Sequence, residues 1–326
     1  MTPDESRDAV YATARRQGLD PRGATLLQGG PHHTWRLPKS GAIARVWRPG
    51  TSFEEALRAN RIALWLLRNG IAAARPVGRS ACPVQYEGRY LLQVTVAVDL
   101  GDERPTPAQL GAVLRELHGL EVPAQLGLPT FSPFPVLARR IKSLPPDVLS
   151  PQQRSRVRAL LAGAREAWRA TDWPERCVMH GDPGRGNCIT TPEGVALIDF
   201  ERTSVGHRWR DQASAAWRRD VFGAGPDEYE EFAEAYGADV TALDGGRIYR
   251  EVLTPEFAVN AWLNWAEYAQ AEPELQPEAD RRLATITTDP VLPPFPWGWA
   301  PNSAAAKQPE PAACAAAPAP APGSAS

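Results

Sequence analysis

The sequence has 326 residues, 43% of them hydrophobic, and a formal net charge of −2 at pH 7. This length allows two lobes with separate cores, whereas the small net charge gives no support for a nucleic-acid or membrane partner. No apolar run is long enough to span a bilayer, residues 1–6 lack the pattern of a secretory signal, and four cysteines show no metal-ligand spacing. We therefore expect a cytoplasmic protein, either a monomer or a homodimer.

The first part of the chain alternates strand patterns with turn residues. One helix and three strands are predicted, over residues 8–18, 24–28, 34–37 and 42–47. Gly29 and Gly30 follow the first strand, and Pro38-Lys39-Ser40-Gly41 forms a turn between the other two. Glycine lets backbone amides approach phosphate oxygens closely, although this pair alone is also compatible with an ordinary turn.

The middle of the chain combines helices with a second hairpin. Residues 53–69 have an apolar helical face, and Gly70 is placed to end that helix. Two strands and two further helices are predicted next, over residues 84–86, 90–94, 108–118 and 151–171.

The most informative segment contains His180-Gly181-Asp182 and Asn187. The residues around it predict a short strand and then a hairpin, over 177–179, 188–190 and 195–198. The last of these strands is continuously apolar, so we expect it to be buried on both faces. Asp199 emerges at its end, and the hairpin brings Asn187 and Asp199 to the same end of the strand pair.

The polar side chains of this segment have complementary chemistry. Mg²⁺ prefers hard oxygen ligands and takes few of them from protein, which suits the Asn187 Oδ1 atom and the Asp199 carboxylate. Asp182, five residues before Asn187, remains free to accept a proton from a substrate hydroxyl. The alternative is a His-Gly-Asp turn beside an unrelated buried strand.

The pattern His180-Gly181-Asp182, four residues, Asn187 and then Ile198-Asp199-Phe200-Glu201 resembles the catalytic loop and metal segment of the aminoglycoside phosphotransferase family. A protein kinase has arginine in place of Gly181 and Asp-Phe-Gly at the second segment. The resemblance covers most of residues 20–290. It implies an α+β, protein-kinase-like fold with two lobes.

The implied N-lobe is an antiparallel five-stranded sheet that binds nucleotide, over residues 1–97. The implied C-lobe is mostly helical, spans residues 98–300 and contains the catalytic and substrate-binding groups. The remaining residues, 301–326, are rich in alanine and proline, and their composition predicts a disordered tail.

The segment Ala42-Ile43-Ala44-Arg45 resembles the third-strand segment of the family, with arginine in place of lysine. Arg45 is therefore expected to contact the nucleotide phosphates, the alternative being a strand residue that reaches to the surface. The glutamate that pairs with this cation in the family is missing, because Ala59 stands at its position. Glu55, one turn earlier, is the candidate partner, unless it only favours the positive end of the helix dipole.

Further expectations follow from the resemblance. Residues 93–97 are expected to cross between the lobes, so the backbone of Gln93, Val94 and Thr95 is expected to meet the adenine of ATP. His118, at the end of a helix, is expected to be a packing or capping residue. Asp211 is expected to brace the catalytic loop, to cap the next helix, or both.

Arg185 is a departure within the catalytic loop. It puts a cation three residues after Asp182, where it either stabilises charge on the transferred phosphoryl group or pairs with Glu201 or a surface acid.

Helical patterns then continue over 212–220, 227–236, 247–253, 257–271 and 277–286. Their acids and interleaved aromatic rings suit a cationic antibiotic, although solvated helix faces are the simpler interpretation. Residues 290–301, with Trp297 and Trp299, are expected to pack back on the C-lobe.

The resemblance implies transfer of a phosphoryl group from ATP, with Mg²⁺, to a hydroxyl of a small-molecule partner. The expected acceptor is an antibiotic of the aminoglycoside, nucleoside or peptide type, phosphorylated for resistance or self-protection. The alternatives are a metabolic sugar or amino-alcohol kinase, or a nucleotide-binding regulatory protein that has lost catalysis.

Overall fold

The computed structural model describes residues 1–29, 32–77, 82–96, 104–191, 194–270, 272–288 and 292–301. The predicted lobe boundary at residues 97 and 98 lies outside this part, as does Gly30 and all of the predicted tail except Pro301. None of the helices in the described part is both long and apolar enough to cross a membrane.

The N-terminal half is an antiparallel sheet with two helices. In chain order its elements are α1 (Pro3–Arg16), β1 (Thr25–Gln28), β2 (His33–Leu37), β3 (Ala42–Val46), α2 (Phe53–Arg68), β4 (Val84–Tyr86) and β5 (Tyr90–Val96). The five strands lie in the order β1-β2-β3-β5-β4. Helix α1 buries Ala9, Val10 and Ala14 against the sheet. The predicted five-stranded antiparallel N-lobe is confirmed.

The C-terminal half is mostly helical. Its elements are α3 (Pro107–Gly119), α4 (Pro133–Ser143), α5 (Pro151–Ala170), β6 (Cys177–Met179), β7 (Cys188–Thr191), β8 (Gly194–Leu197), β9 (Ser204–Gly206), α6 (Arg208–Phe222), α7 (Pro226–Tyr236), α8 (Thr254–Ala269) and α9 (Gln276–Thr287). A π-helical stretch, Ile248–Leu253, leads directly into α8. β6 pairs with β9, and β7 pairs with β8. The predicted kinase-like α+β fold is confirmed.

Helix α3 lies very close to α7. A Cβ atom added to Gly111 would lie 2.4 Å from the carbonyl oxygen of Phe232, so a larger residue at this position would push the two helices apart. The closeness matters because α3 and α7 together border the surface next to the catalytic loop.

The end of the described chain packs on the C-terminal half, as predicted. Trp299 is 2% exposed, and the rings of Trp297 and Trp299 lie 5.4 and 5.9 Å from the ring of Trp217 on α6. These contacts hold the chain end against the helical core.

The segment after α2 connects the two halves. The Leu197 amide of β8 donates to Ala72 O at 2.9 Å, and the Ala74 amide donates to Leu197 O at 3.3 Å. The strand that precedes Asp199 is thereby hydrogen-bonded to a segment that leads back into the N-terminal sheet.

Candidate active site

The catalytic loop, residues 180–187, is anchored from below by Asp211. This carboxylate is fully buried and accepts hydrogen bonds from the His180 amide at 2.6 Å and the Gly181 amide at 3.1 Å. His118 Nε2 lies 3.3 Å from the same carboxylate. Because α6 begins at Arg208, Asp211 is inside the helix and is not its N-cap. The structure therefore confirms the bracing role and excludes the capping role.

Charge around Asp211 favours its ionised form. Burial alone would raise the pKa of this carboxyl, but the hydrogen bond and charge of His118, together with Arg210 and His180, outweigh burial and lower the pKa. Asp211 is therefore a fixed negative charge beneath the loop, and His118 is a packing and hydrogen-bonding residue, as expected.

Gly181 is required by the shape of the loop. Its φ is +86°, and a Cβ atom there would lie 2.2 Å from the Arg202 carbonyl oxygen. Only glycine combines this conformation with such a close approach. On one side of Gly181, the His180 ring nitrogen Nε2 donates to Ile198 O at 2.9 Å. The exposed Asp182 then follows directly after the turn.

The predicted hairpin brings Asp182, Asn187 and the strand end before Asp199 together. Cys188 pairs with Leu197, and the Ile198 amide donates to Asn187 O at 3.0 Å. The Asn187 side-chain Nδ2 donates to Asp182 O at 2.8 Å. This bond engages the amide nitrogen, and Oδ1 is the atom of this side chain that could bind a cation. Burial of β8 is only partial, since Ala196 and Leu197 are buried but Val195 is half-buried.

The donor set of this hairpin fits Mg²⁺. The described residues contain no group of three or more His, Cys, Asp or Glu side chains able to hold a metal ion. An ion here would therefore be held by one amide oxygen and one carboxylate and would complete its shell with phosphate and water oxygens. That is how Mg²⁺ is usually bound.

Arg45 on β3 reaches across to this hairpin. Its Nη1 lies 3.2 Å from Asp199 Oδ1, and its Nη2 is hydrogen-bonded to Glu201 Oε1. The guanidinium also lies over the Trp47 ring, 5.0 Å from the ring centroid. The other Glu201 oxygen lies 3.5 Å from His32 Nε2. Arg45 is thus held beside the Asp199-Phe200-Glu201 segment by two carboxylates and one aromatic ring.

The prediction that Glu55 pairs with Arg45 is wrong. Glu55 is the third residue of α2, and its carboxylate accepts from the Ser52 amide at 2.9 Å and from the Ser52 hydroxyl at 3.0 Å. It caps the helix and does not reach β3. The acid that pairs with Arg45 is Glu201, which the Asp199-Phe200-Glu201 motif already contained. Ala59 is 4% exposed and packs in the core.

The prediction that residues 93–95 meet adenine is also wrong. β5 continues to Val96, and Gln93 and Thr95 pair with β3 opposite Arg45 and Ile43. Val94 lies between them in the strand, and its carbonyl oxygen accepts from the Val77 amide at 2.8 Å. Since neighbouring residues of an antiparallel strand bond to opposite sides, both edges of this stretch are occupied. The rest of the predicted crossover, Ala97, lies outside the described residues.

The structure leaves the glycine prediction open. Gly29 directly follows β1, has no positive φ, and a Cβ atom added to it would meet nothing within 4 Å. Space for a ligand is therefore available there, but the backbone geometry does not itself demand glycine. Gly30 is outside the described residues. The phosphate-contact role of this pair stays a prediction.

Arg185 turns away from the metal segment. Its Nε donates to Pro105 O at 2.8 Å, and its Nη1 lies 3.4 Å from Glu228 Oε2 on α7. The structure thus favours pairing with a surface acid over the predicted contact with the transferred phosphoryl group.

Arg210 is a loop-anchoring residue that sequence reasoning missed. It is 4% exposed, donates to Gly181 O at 2.8 Å and lies 3.4 Å from the buried Glu256 carboxylate. In the sequence it stands directly before Asp211, ahead of the helix predicted over 212–220.

A phosphotransferase enzyme family model matches residues 25–251, well over half of the chain. The protein belongs to this family. The phosphotransferase is therefore a small-molecule kinase whose acceptor is a hydroxyl group. No curated protein matches its sequence.

Solved structures resemble this phosphotransferase over most of its length. A choline/ethanolamine kinase family protein from Mesorhizobium loti has a TM-score of 0.63 and 20% identity, covering 88% of this chain and 94% of its own. A spectinomycin phosphotransferase in complex with ADP and spectinomycin has a TM-score of 0.60 and 15% identity, with 89% and 98% covered. An amicoumacin kinase in complex with AMP-PNP and Ca²⁺ has a TM-score of 0.64 and 13% identity, with 90% and 97% covered. At these identities the likeness establishes the fold.

Proposed function

We propose that the phosphotransferase transfers the γ-phosphate of ATP, in the presence of Mg²⁺, to a hydroxyl group of a small-molecule antibiotic. One observation carries the chemistry. The exposed Asp182 is hydrogen-bonded through its carbonyl to Asn187, and Asn187 is hydrogen-bonded through its own carbonyl to the residue before Asp199. The proton acceptor and both oxygen ligands therefore belong to one connected structure.

Asp182 is the residue that receives the acceptor hydroxyl. Its carboxylate lies at the exposed tip of a loop whose backbone is fixed by Asp211 and Arg210. It would first accept a hydrogen bond from the hydroxyl and then take its proton as the bond to phosphorus forms. Most of the catalytic gain in such a site comes from orientation, since phosphoryl transfer needs little covalent help from protein.

Asn187 and Asp199 would hold Mg²⁺. When bound, the ion neutralises charge on the phosphate oxygens of the nucleotide. The protein's own contribution is to orient the two oxygen ligands, through the Asn187–Asp182 hydrogen bond on one side and the Arg45–Asp199 ion pair on the other.

Arg45 would bind the α- and β-phosphates. Its planar guanidinium can serve phosphate oxygens and a carboxylate at the same time. The contact with Glu201 and the stacking on Trp47 hold it in place for this task, which the family normally gives to a lysine.

The antibiotic acceptor is supported by the similarity to antibiotic kinases, among them a spectinomycin phosphotransferase and an amicoumacin kinase. The resemblance to a choline/ethanolamine kinase family protein makes an amino-alcohol kinase the second candidate.

Three cysteines in the described part are free, which agrees with the proposed cytoplasmic location. We propose a monomer or homodimer that has no nucleic-acid partner.

The test combines nucleotide binding with turnover. Thermal shift with ATP and Mg²⁺ should show stabilisation of the wild-type protein and of Asp182→Asn alike, because Asp182 contacts the acceptor and not the nucleotide. ADP release against a panel of hydroxylated antibiotics and amino alcohols should then be lost, by about 10³-fold or more, in Asp182→Asn alone. Near-normal turnover by that variant would refute the assignment of the base. Stabilisation by ATP without turnover of any compound would instead indicate a nucleotide-binding regulatory protein.

A further inference from the structure

A cleft beside the catalytic loop is bordered by three arginines and one acid. It lies between the loop and helices α3, α6 and α7, and its lining includes Pro183, Arg185, Leu110, Arg218, Glu228 and Tyr229. Pro183 directly follows Asp182 in the chain, so any molecule in this cleft lies next to the proposed base. Leu110 and Tyr229, each 4% exposed, make part of the lining apolar.

Two of the bordering arginines already have acidic partners. One of them is Arg219, which pairs with Asp220 at 2.7 Å and lies over the Tyr229 ring, 4.4 Å from its centroid. Arg185 is 3.4 Å from Glu228. Glu228, the one acid of the lining, is therefore paired, and Arg219 is paired with an acid outside the lining.

Arg218 supplies the surplus positive charge. None of the ion pairs between described residues engages its guanidinium, and its side chain is accessible to solvent. Partial burial lowers the pKa of Arg218, and the nearby charges of Arg185 and Arg104 lower it further, against the opposing charge of Glu228. The lining of the cleft thus contains three arginines and one carboxylate, Glu228, which already pairs with Arg185.

Four acids of the C-terminal half that could suit a polycationic acceptor are already paired with arginines. Glu256 is buried against Arg210, and Glu267 pairs with Arg140 at 2.9 Å. Asp220 and Glu228 are also paired, so these four carboxylates cannot bind ammonium groups without first losing their arginines.

We propose that the acceptor is a hydroxylated organic acid, whose carboxylate binds Arg218 while its hydroxyl reaches Asp182. The proposal rests on the proposed phosphotransferase function and narrows its substrate class, so that polycationic aminoglycosides become the disfavoured acceptors. Guanidinium groups bind carboxylates through two parallel hydrogen bonds, which would fix the distance between the acidic group and the phosphorylated hydroxyl.

Direct binding tests the anion site without any turnover. The protein, saturated with AMP-PNP and Mg²⁺, is titrated calorimetrically with tartrate and with threitol, which share a four-carbon dihydroxy skeleton and differ in their terminal carboxylates. Tartrate should bind at least about tenfold more tightly than threitol, and Arg218→Gln should abolish that preference. Arg165→Gln, which removes an exposed arginine of α5, is the matched control and should keep it. Equal affinities, or the same loss in both variants, would overturn the proposal.

Turnover then tests the substrate class. In an ADP-release screen of acids paired with their neutral amides, the acids should be the better acceptors. For the best acid, Arg218→Gln should raise KM about tenfold and change kcat much less, while KM for its amide stays unchanged. Preferred turnover of polycations would refute the proposal but leave the phosphotransferase function intact. Tartrate binding at Arg218 without turnover of any compound would support the anion site and count against the phosphotransferase function.

Discussion

Replacing Asp211 with asparagine tests whether the catalytic loop is held by a buried charge. The aspartate accepts from two backbone amides and faces His118, whereas an asparagine offers one acceptor oxygen and an NH₂ group that cannot accept. One backbone amide is then left unsatisfied, and the buried Arg210 and His118 lose their acidic neighbour. Removing one member of such a buried charged group costs about 3–5 kcal/mol. At about 2 °C per kcal/mol for a chain of this size, Tm should fall by about 6–10 °C.

Activity should fall further than stability alone explains. Because the amides of His180 and Gly181 position Asp182, a shift of the loop by about 1 Å should lower kcat by about 10²-fold at temperatures where Asp211→Asn is still folded. Circular dichroism melting and ADP release measure the two effects. Asp227→Asn, the same chemical change at an exposed site of α7, is the control and should resemble the wild-type protein. A loss below about 1 kcal/mol with kcat within threefold of wild type would refute the bracing argument.

The pH dependence of this difference has a defined sign. The folded-state pKa of Asp211 is lowered, so its charge stabilises the fold above the unfolded-state pKa of about 3.9, and this contribution is lost as pH falls through the lower folded-state pKa. The gap in Tm between wild type and Asp211→Asn should therefore be full near neutral pH and should narrow below about pH 4. A gap that widened on acidification would contradict the lowered pKa.

Two further results are expected from the site and the core. Glu201→Gln should raise KM for ATP about tenfold, because Arg45 loses a charged partner. Glu55→Gln should lower stability by about 1 kcal/mol or less and leave KM for ATP unchanged. Equal effects of the two variants on KM would contradict the assignment of Glu201 as the partner of Arg45. At pH 8, maleimide should label the exposed Cys82 in the native protein but react with the two buried cysteines, Cys177 and Cys188, only on unfolding. The reason is that burial raises the pKa of both thiols to about 12. Peptide mass mapping would identify the labelled cysteines.

Local patterns explain which parts of the site were predictable. Asp182 and Asn187 are five residues apart, and a short hairpin leads from Asn187 to Asp199. Their proximity therefore follows from one turn and two strands, without knowledge of the rest of the fold. The hairpin of the predicted strands 84–86 and 90–94 was equally accessible from sequence. Its turn residues Glu87 and Gly88 both have positive φ in the structure, as a tight hairpin turn requires.

Long-range contacts explain the parts that were not predictable. The acidic partner of Arg45 is 156 positions away in the sequence, and periodicity within α2 pointed to Glu55 instead. The end of β5 depends on residues 75–77, which hydrogen-bond to it from outside the hairpin. Helix α4 was hidden by its prolines, because Pro133 and Pro135 lie in its first turn, where a missing N–H costs little.

The hydrogen bonds between Leu197 and the segment 72–74 have a consequence for how the cleft can open. Helix α2 buries its apolar face in the same core as the C-terminal helices, while α1 and most of the sheet form a separate core. We therefore expect α2 and segment 72–74 to travel with the catalytic half when nucleotide enters or leaves. The moving body is then the sheet with α1. Because Arg45 belongs to that body and Asp199 does not, each opening must break their ion pair, and each closure must re-form it.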